Sequence, residues 1–303
     1  MSANLFSTAS MGRSTLSAIV AIVDKYILSG PIPNPKVYAF YVGVLEILAL
    51  FLIPLGFIIP DLSQILLSFI AGAFFILALF WFCKALSLFE TSRIVPAIGG
   101  LNPLFVFVFN YFIFGEGFVS VWKILSFILL ILGTVIVTWE KEKTTSLKSF
   151  RMAALSAFLF SLAFVLSKQV YSTQPFWSGF IWMRIGGFLA SLFFLFFREV
   201  REEVFKKKTG LTSKTGGILI ANQGFGALGF ILQNRAIALV PIGLLAFVNA
   251  LEGAKYAFVL FLTAFLSLRF SKIIKEKISR EVIFQKTFAI LLIALGIGLL
   301  AWR

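Results

Sequence analysis

Histidine is missing from the 303-residue sequence, and cysteine occurs only once, at Cys83. A lone cysteine cannot form an internal disulfide, and the usual ligands of zinc and other transition metals are lacking without histidine. The sequence therefore predicts no metal site and no cofactor. It also contains no G-x-x-x-x-G-K-[ST] loop to hold nucleotide phosphates, which excludes an ATP-driven pump.

Charged residues are also scarce, because they make up 13% of the chain whereas hydrophobic residues make up 60%. Soluble domains contain about a quarter charged residues and about half apolar residues. The polar sequence between the apolar segments is too short to form a substantial soluble domain. The composition therefore predicts an all-α integral membrane protein, with the lipid bilayer as its surroundings.

The net charge of +14 lies mainly in short connections between apolar segments, which is typical of cytoplasmic loops rather than of a nucleic-acid-binding surface. We therefore expect no nucleic-acid partner. The connections near 59–63 and 172–175 contain no Lys or Arg, and this asymmetry predicts that the basic connections are cytoplasmic and both termini are outside. The fifteen residues in the basic connections are Lys141, Lys143, Lys148, Arg151, Arg198, Arg201, Lys206, Lys207, Lys208, Lys214, Arg269, Lys272, Lys275, Lys277 and Arg280.

Ten apolar segments are long enough to cross a bilayer, for which a helix needs about 20 residues. Arg13 interrupts the first of them. The predicted spans are 5–28, 37–58, 64–86, 93–114, 121–139, 150–171, 176–197, 215–238, 242–268 and 282–302.

The two halves of the chain resemble each other at three places in the same order. AIVDKYILS at 21–29 aligns with FVLSKQVYS at 164–172, matching Lys25 with Lys168, and KALSL at 84–88 aligns with RAIAL at 235–239. KILSFILLILGTVIVTW at 123–139 aligns without a gap with KTFAILLIALGIGLLAW at 286–302, which pairs Gly133 with Gly296. These matches predict two five-span repeats, 1–143 and 144–303. Because five is odd, the second repeat enters the membrane from the opposite face, as in many secondary transporters; a duplication kept only for packing is the alternative.

The segment RIVPAIGGLNPLFVFVFNYFIFGEGF at 93–118 resembles the EamA-like transporters of the drug/metabolite transporter superfamily. Pro103, Gly115 and Glu116 match the family pattern in the first repeat, whereas KEKIS at 275–279 keeps Glu276 but not the glycine. The resemblance implies ten helices in two inverted five-helix repeats. It also implies a secondary transporter in the plasma membrane that moves a small polar metabolite or drug-like molecule by alternating access.

A few polar side chains fall inside the predicted spans, where an ionised group costs about 2.5–3.5 kcal/mol on insertion scales. Glu252 and Lys255 are three residues apart and therefore share one helical face, which Asn249 extends. We expect this stripe to face a substrate cavity; a salt bridge that only orders the helix is the alternative. The predicted substrate-binding residues are Asn222, Gln223, Asn249, Glu252, Lys255, Trp182 and Arg184.

Glu46 lies in the second span without a basic residue within one turn. A buried carboxylate without a partner favours its protonated form, so Glu46 is a candidate for proton coupling. The alternative is that Arg184 or a backbone group neutralises it.

Two further expectations concern the helices themselves. Pro96 and Pro103 predict a kinked fourth helix whose freed carbonyls are available to a cavity, unless the kink only shapes packing. Lys25 and Lys168 lie near span ends and are expected to extend to the membrane interface.

Other classes of protein fit the sequence less well. Intramembrane metalloproteases need histidine, and the two aspartates, Asp24 and Asp61, are far apart for a lipid-phosphate transferase, so we expect no enzyme activity. A flippase for lipid-linked metabolites and a non-transporting membrane scaffold remain alternatives. A homodimer is left open.

Overall fold

The computed structural model describes residues 18–115, 121–139, 143–206, 213–240, 245, 259 and 279–302. The described residues form an all-α membrane protein without β-strands, and seven of their helices are long and apolar enough to cross a membrane. The helices are α1 (18–29), α2 (Pro35–Leu45), α3 (Leu62–Leu88), α4 (Thr91–Phe114), α5 (Val121–Thr138), α6 (Lys143–Thr173), α7 (Phe176–Leu192), α8 (Arg198–Lys206), α9 (Ser213–Leu239) and α10 (Arg280–Trp302). A 3₁₀ helix, Glu46–Leu55, continues α2, and a shorter one, Phe193–Phe196, continues α7.

The helices agree with the predicted spans, since each span except 242–268 overlaps a described helix. Apart from Leu245 and Val259, the span at 242–268 lies outside the described residues, as do the first residues of the span at 5–28. The short helix α8 was not predicted. It is amphipathic, with Val200 buried and an exposed pair from Arg198 Nε to Glu202 Oε1 at 2.8 Å, and such pairs four residues apart stabilise a helix.

The connections predicted to share one side of the membrane are in contact. The Ser178 hydroxyl donates to the carbonyl oxygen of Ile58 at 2.9 Å, and the Gln174 amide donates to that of Gln64 at 3.2 Å. At the other end of the molecule, the amide of Gln285 donates to the carbonyl oxygen of Ile136 at 2.6 Å. These contacts agree with the predicted order of crossings; which end faces the cytoplasm stays a prediction.

Helices α5 and α10 pack through one glycine from each. A Cβ on Gly133 would lie 2.9 Å from the carbonyl oxygen of Ala289, and a Cβ on Gly296 would lie 2.9 Å from that of Ser126. In the sequence alignment of these two helices Gly133 pairs with Gly296 and Ser126 pairs with Ala289. The contact is therefore reciprocal, and only glycine allows the two backbones to approach this closely.

Lys25 and Lys168, which are matched in the alignment, both cap the C-terminal end of another helix. The Lys25 ammonium donates to the carbonyl oxygens of Leu86 and of Phe89, the latter at 2.9 Å, at the end of α3. The Lys168 ammonium donates to that of Ala238 at 3.0 Å, at the end of α9. Both lysines are buried, so their ammonium groups contact helix ends rather than solvent; the expectation that they lie at the membrane interface stays a prediction. The last carbonyls of a helix have no partner within it and carry partial negative charge, which a buried ammonium stabilises.

Candidate functional site

A cavity of about 530 Å³ lies between the helices and is lined by residues of both halves of the chain. Its wall is mostly apolar and includes several phenylalanines. A large apolar cavity with a small number of polar groups is the usual form of a small-molecule site. The polar side chains in its described lining are Asp24, Glu46, Asn102, Arg184, Gln223 and Gln233.

Glu46 and Arg184 form an ion pair in the cavity wall. The distance from Arg184 Nη1 to Glu46 Oε1 is 2.5 Å, and the two side chains are 9% and 7% exposed respectively. The pair joins the start of the 3₁₀ helix to the middle of α7. Gly187, one turn further along α7, leaves room for it, because a Cβ there would lie 1.8 Å from Glu46 Oε2. Of the two possibilities left open for Glu46, the structure therefore shows the contact with Arg184.

Three aromatic rings surround the guanidinium of Arg184. Its central carbon lies 4.7 Å from the ring centre of Phe75, 5.5 Å from that of Phe180 and 4.5 Å from that of Phe230. A desolvated cation–π contact contributes about 2 kcal/mol. The rings belong to α3, α7 and α9, so side chains of three helices contact the cation, and Glu46 contacts it from the 3₁₀ helix.

The ion pair does not use all of its hydrogen-bonding atoms. Glu46 Oε2 and Arg184 Nε are buried and have no hydrogen-bond partner among the described residues. An unsatisfied buried polar atom costs about 1–3 kcal/mol, so proteins rarely keep one without a reason. Among the described residues, the ion pair therefore keeps one unused acceptor and one unused donor, both enclosed by protein, which a ligand could contact only if Glu46 moved.

A second polar cluster lies on the α1 side of the cavity. Asp24 accepts hydrogen bonds from the Tyr38 hydroxyl and from the Asn222 amide, the latter at 2.7 Å. Gln223 donates to the Tyr38 hydroxyl at 3.1 Å. Sequence reasoning missed Asp24 as a cavity residue. Its position within the apolar first span was the available signal, because a carboxylate rarely lies there without a role.

Helix α4 contributes backbone polarity beside Asn102. The helix continues through Pro96 and Pro103, the two prolines at which a kink is predicted. Pro103 has no N–H to donate to the carbonyl oxygen of Gly99, four residues earlier. Gly99 lines the cavity, and its carbonyl oxygen lacks the usual helical donor because residue 103 is proline. Pro96 lies two turns earlier in the same helix, and the predicted kink stays a prediction.

The remaining predicted site residues are placed differently. Trp182 is absent from the cavity lining; its indole N–H donates to the carbonyl oxygen of Ile58 at 3.0 Å, in the connection between the 3₁₀ helix and α3. Positions two apart on a helix point in different directions, which separates Trp182 from Arg184. Asn222 and Gln223 belong to the Asp24 cluster. The stripe of Asn249, Glu252 and Lys255 lies outside the described residues.

Comparison with known proteins supports the fold. The chain is similar to a protein of known crystal structure, with a TM-score of 0.57 and 17% sequence identity over 98% of this chain and 96% of the other. At this level of identity the likeness shows the fold alone. No protein-family model matches the chain, and no curated protein matches it.

Proposed function

We propose that the protein is a secondary transporter that moves a small metabolite or drug-like molecule across the plasma membrane by alternating access. The observation that carries the proposal is the cavity between the helices, which holds the ion pair of Glu46 and Arg184. A polar substrate that leaves water needs replacement partners inside the membrane, and this pair provides them. A scaffold would gain nothing from two buried charges with unused hydrogen-bonding atoms.

The proposal includes two inverted five-helix repeats, 1–143 and 144–303. The reciprocal packing of α5 and α10 supports it, because two equivalent halves related by a two-fold axis make contacts of this kind. The caps of Lys25 and Lys168 support it further, since matched lysines contact the ends of α3 and α9, which the sequence also matches. The resemblance of 93–118 to EamA-like transporters agrees with this architecture.

A flux measurement tests the proposal. Liposomes that contain the purified protein would be loaded with a panel of unlabelled amino acids, organic acids and organic amines. Exchange of the labelled compounds would then be followed with and without a proton gradient. We expect at least one compound to exchange faster than in protein-free liposomes, and the double variant Glu46→Gln, Arg184→Gln to abolish that exchange. Flux that the double variant leaves unchanged contradicts the assignment of the site, and no exchange of any compound contradicts transport.

A further inference from the structure

We propose that the cavity binds a small organic anion with one carboxylate on an apolar body, and that this carboxylate replaces Glu46 at Arg184 while Glu46 takes up a proton. The inference rests on the proposed transport function and adds the class of substrate to it. The carboxylate of Glu46 lies where the carboxylate of the substrate would contact Arg184.

Arg184 is the fixed member of the ion pair. Arginine stays protonated in proteins, and its guanidinium presents planar donors that match a carboxylate in a two-pronged arrangement. The rings of Phe75, Phe180 and Phe230 hold it on the cavity wall independently of Glu46. Its Nε is buried and has no hydrogen-bond partner among the described residues, so displacement of Glu46 would open Nε and Nη1 together to an incoming carboxylate.

Glu46 is the member that can leave. A carboxylate loses its charge by accepting one proton, whereas a guanidinium cannot lose its own. The ion pair carries no net charge. An incoming anion alone would leave one uncompensated negative charge in a buried site, but an anion together with a proton on Glu46 restores neutrality. In the balanced step a hydronium ion or buffer acid gives up one proton through water, this proton forms one O–H bond on Glu46, and Arg184 exchanges its contact with Glu46 for a contact with the ligand carboxylate.

The other titratable groups near the ion pair have partners of their own. Asp24 on α1 is bonded to Tyr38 on α2 and to Asn222, and Tyr171 on α6 donates to Asn234 at 2.9 Å. The α9 residues in the described lining are apolar, glycine or amide residues. Of the described carboxylates, Glu46 is therefore the one that contacts Arg184.

The apolar wall defines the rest of the ligand. Phe75, Phe160, Phe164, Phe180 and Phe230 line the cavity together with aliphatic side chains. An apolar or aromatic body would be buried against these rings. A cationic ligand fits worse, because it would bring a second positive charge beside a guanidinium that cannot be neutralised.

A headgroup series tests the binding step on the full chain in lipid nanodiscs. The probes are 3-phenylpropanoate, 3-phenylpropanamide and 3-phenylpropylamine, which share one body and differ in charge. By calorimetry in two buffers of different ionisation enthalpy, we expect the carboxylate to bind at least about tenfold more tightly than the other two probes. Its binding should be accompanied by the uptake of about one proton by the protein. Because binding needs protonated Glu46, its affinity should fall by up to about tenfold per pH unit between pH 6 and pH 8.

Three variants assign the effect to named residues. Glu46→Gln should bind the carboxylate without proton uptake and without pH dependence, because glutamine resembles the protonated acid. In the double variant Glu46→Gln, Arg184→Gln the affinity for the carboxylate should fall by at least about tenfold, because one charge-assisted contact is lost. Arg198→Gln removes an arginine from the exposed pair with Glu202 and should leave binding unchanged. If the single variant fails to fold, the headgroup series and the double variant still decide the question.

The outcomes separate the anion site from transport. Amine or amide binding as tight as that of the carboxylate overturns the inference, as does carboxylate binding without proton uptake. Carboxylate binding with proton uptake but without flux into liposomes supports the anion site and contradicts transport. Flux of amines in a protein that does not bind the carboxylate supports transport and overturns the anion site.

Discussion

At the scale of single residues, the contact between Glu46 and Arg184 joins positions 138 residues apart. Taking two charges out of water is costly, and their attraction offsets that cost only when both are present. Replacing one partner leaves an uncompensated buried charge, which typically costs about 3–5 kcal/mol, whereas replacing both with neutral groups is often tolerated.

The single variant Arg184→Gln should therefore lower the free energy of unfolding by about 3–5 kcal/mol, because it leaves Glu46 without its cation. The double variant Glu46→Gln, Arg184→Gln should recover most of this loss. Unfolding in mixed micelles, followed by circular dichroism, measures both. A double variant less stable than the single one would mean that the two groups are not energetically coupled.

Gly187→Ala should disrupt the same ion pair without changing any charge. The added Cβ would lie 1.8 Å from Glu46 Oε2, so the carboxylate must move away from Arg184. We expect a loss of stability of about 1–3 kcal/mol, as for other overpacked sites. Gly224→Ala is the matched control, since Gly224 also lines the cavity and a Cβ there has nothing within 4 Å. Equal stability of the two variants would contradict the close packing at Gly187.

At the scale of helices, α5 and α10 contact each other through equivalent positions. In a membrane there is little hydrophobic driving force between helices, so close packing at small residues provides much of the association. Gly133 and Gly296 each lie against the backbone of the opposite helix.

Gly133→Leu and Gly296→Leu should consequently destabilise the protein by similar amounts, about 1–3 kcal/mol each. Gly298→Leu should have little effect, because a Cβ at that position of α10 has no atom within 4 Å. Thermal unfolding of the three variants provides the comparison. Tolerance of leucine at either Gly133 or Gly296 alone would show that the contact is not reciprocal.

The helices could be predicted from the sequence better than their contacts. Apolar length decides a membrane span, because every backbone polar group in lipid must be bonded within its own helix. The partner of a polar side chain depends on which helices become neighbours, and hydropathy does not contain that information. Lys25 illustrates the difference: its ammonium contacts the end of α3, more than 60 residues away, and the hydropathy pattern does not identify this partner.

The candidate site was likewise predictable only in part. Glu46 and Arg184 are ionisable residues in apolar spans, and that alone identified both as candidates. Asp24 was considered only as a possible catalytic aspartate, and Trp182 was included because it lies in the same span as Arg184. Proximity along a helix does not decide which side chain faces a cavity, since consecutive side chains are rotated by about 100°.

At the scale of the whole molecule, the two ends differ in charge. The connection that contains Asp61 has no Lys or Arg, whereas α8 lies within a basic connection. Basic connections stay in the cytoplasm during membrane insertion.

Cysteine labelling tests this orientation in a Cys83→Ser background, which removes the only native thiol. Asp61 and Arg201 are both exposed, so a cysteine at either position is accessible to a reagent on its own side. In intact cells an impermeant maleimide should label Asp61→Cys and should label Arg201→Cys only after the membrane is opened. The reverse pattern would place α8 outside.

The neutrality of the ion pair also affects how the molecule responds to voltage. Moving one elementary charge through the full membrane potential changes the free energy by about 2.3 kcal/mol per 100 mV. Arg184 alone would therefore make a conformational change in this part of the protein dependent on the electric field. In a conformational change that moves Glu46 and Arg184 together, the field exerts nearly equal and opposite forces on the two groups, and the pair adds almost no gating charge. Protonated Glu46 with a bound anion on Arg184 has the same net charge, so the loaded and empty cavities would both be electrically silent at this site.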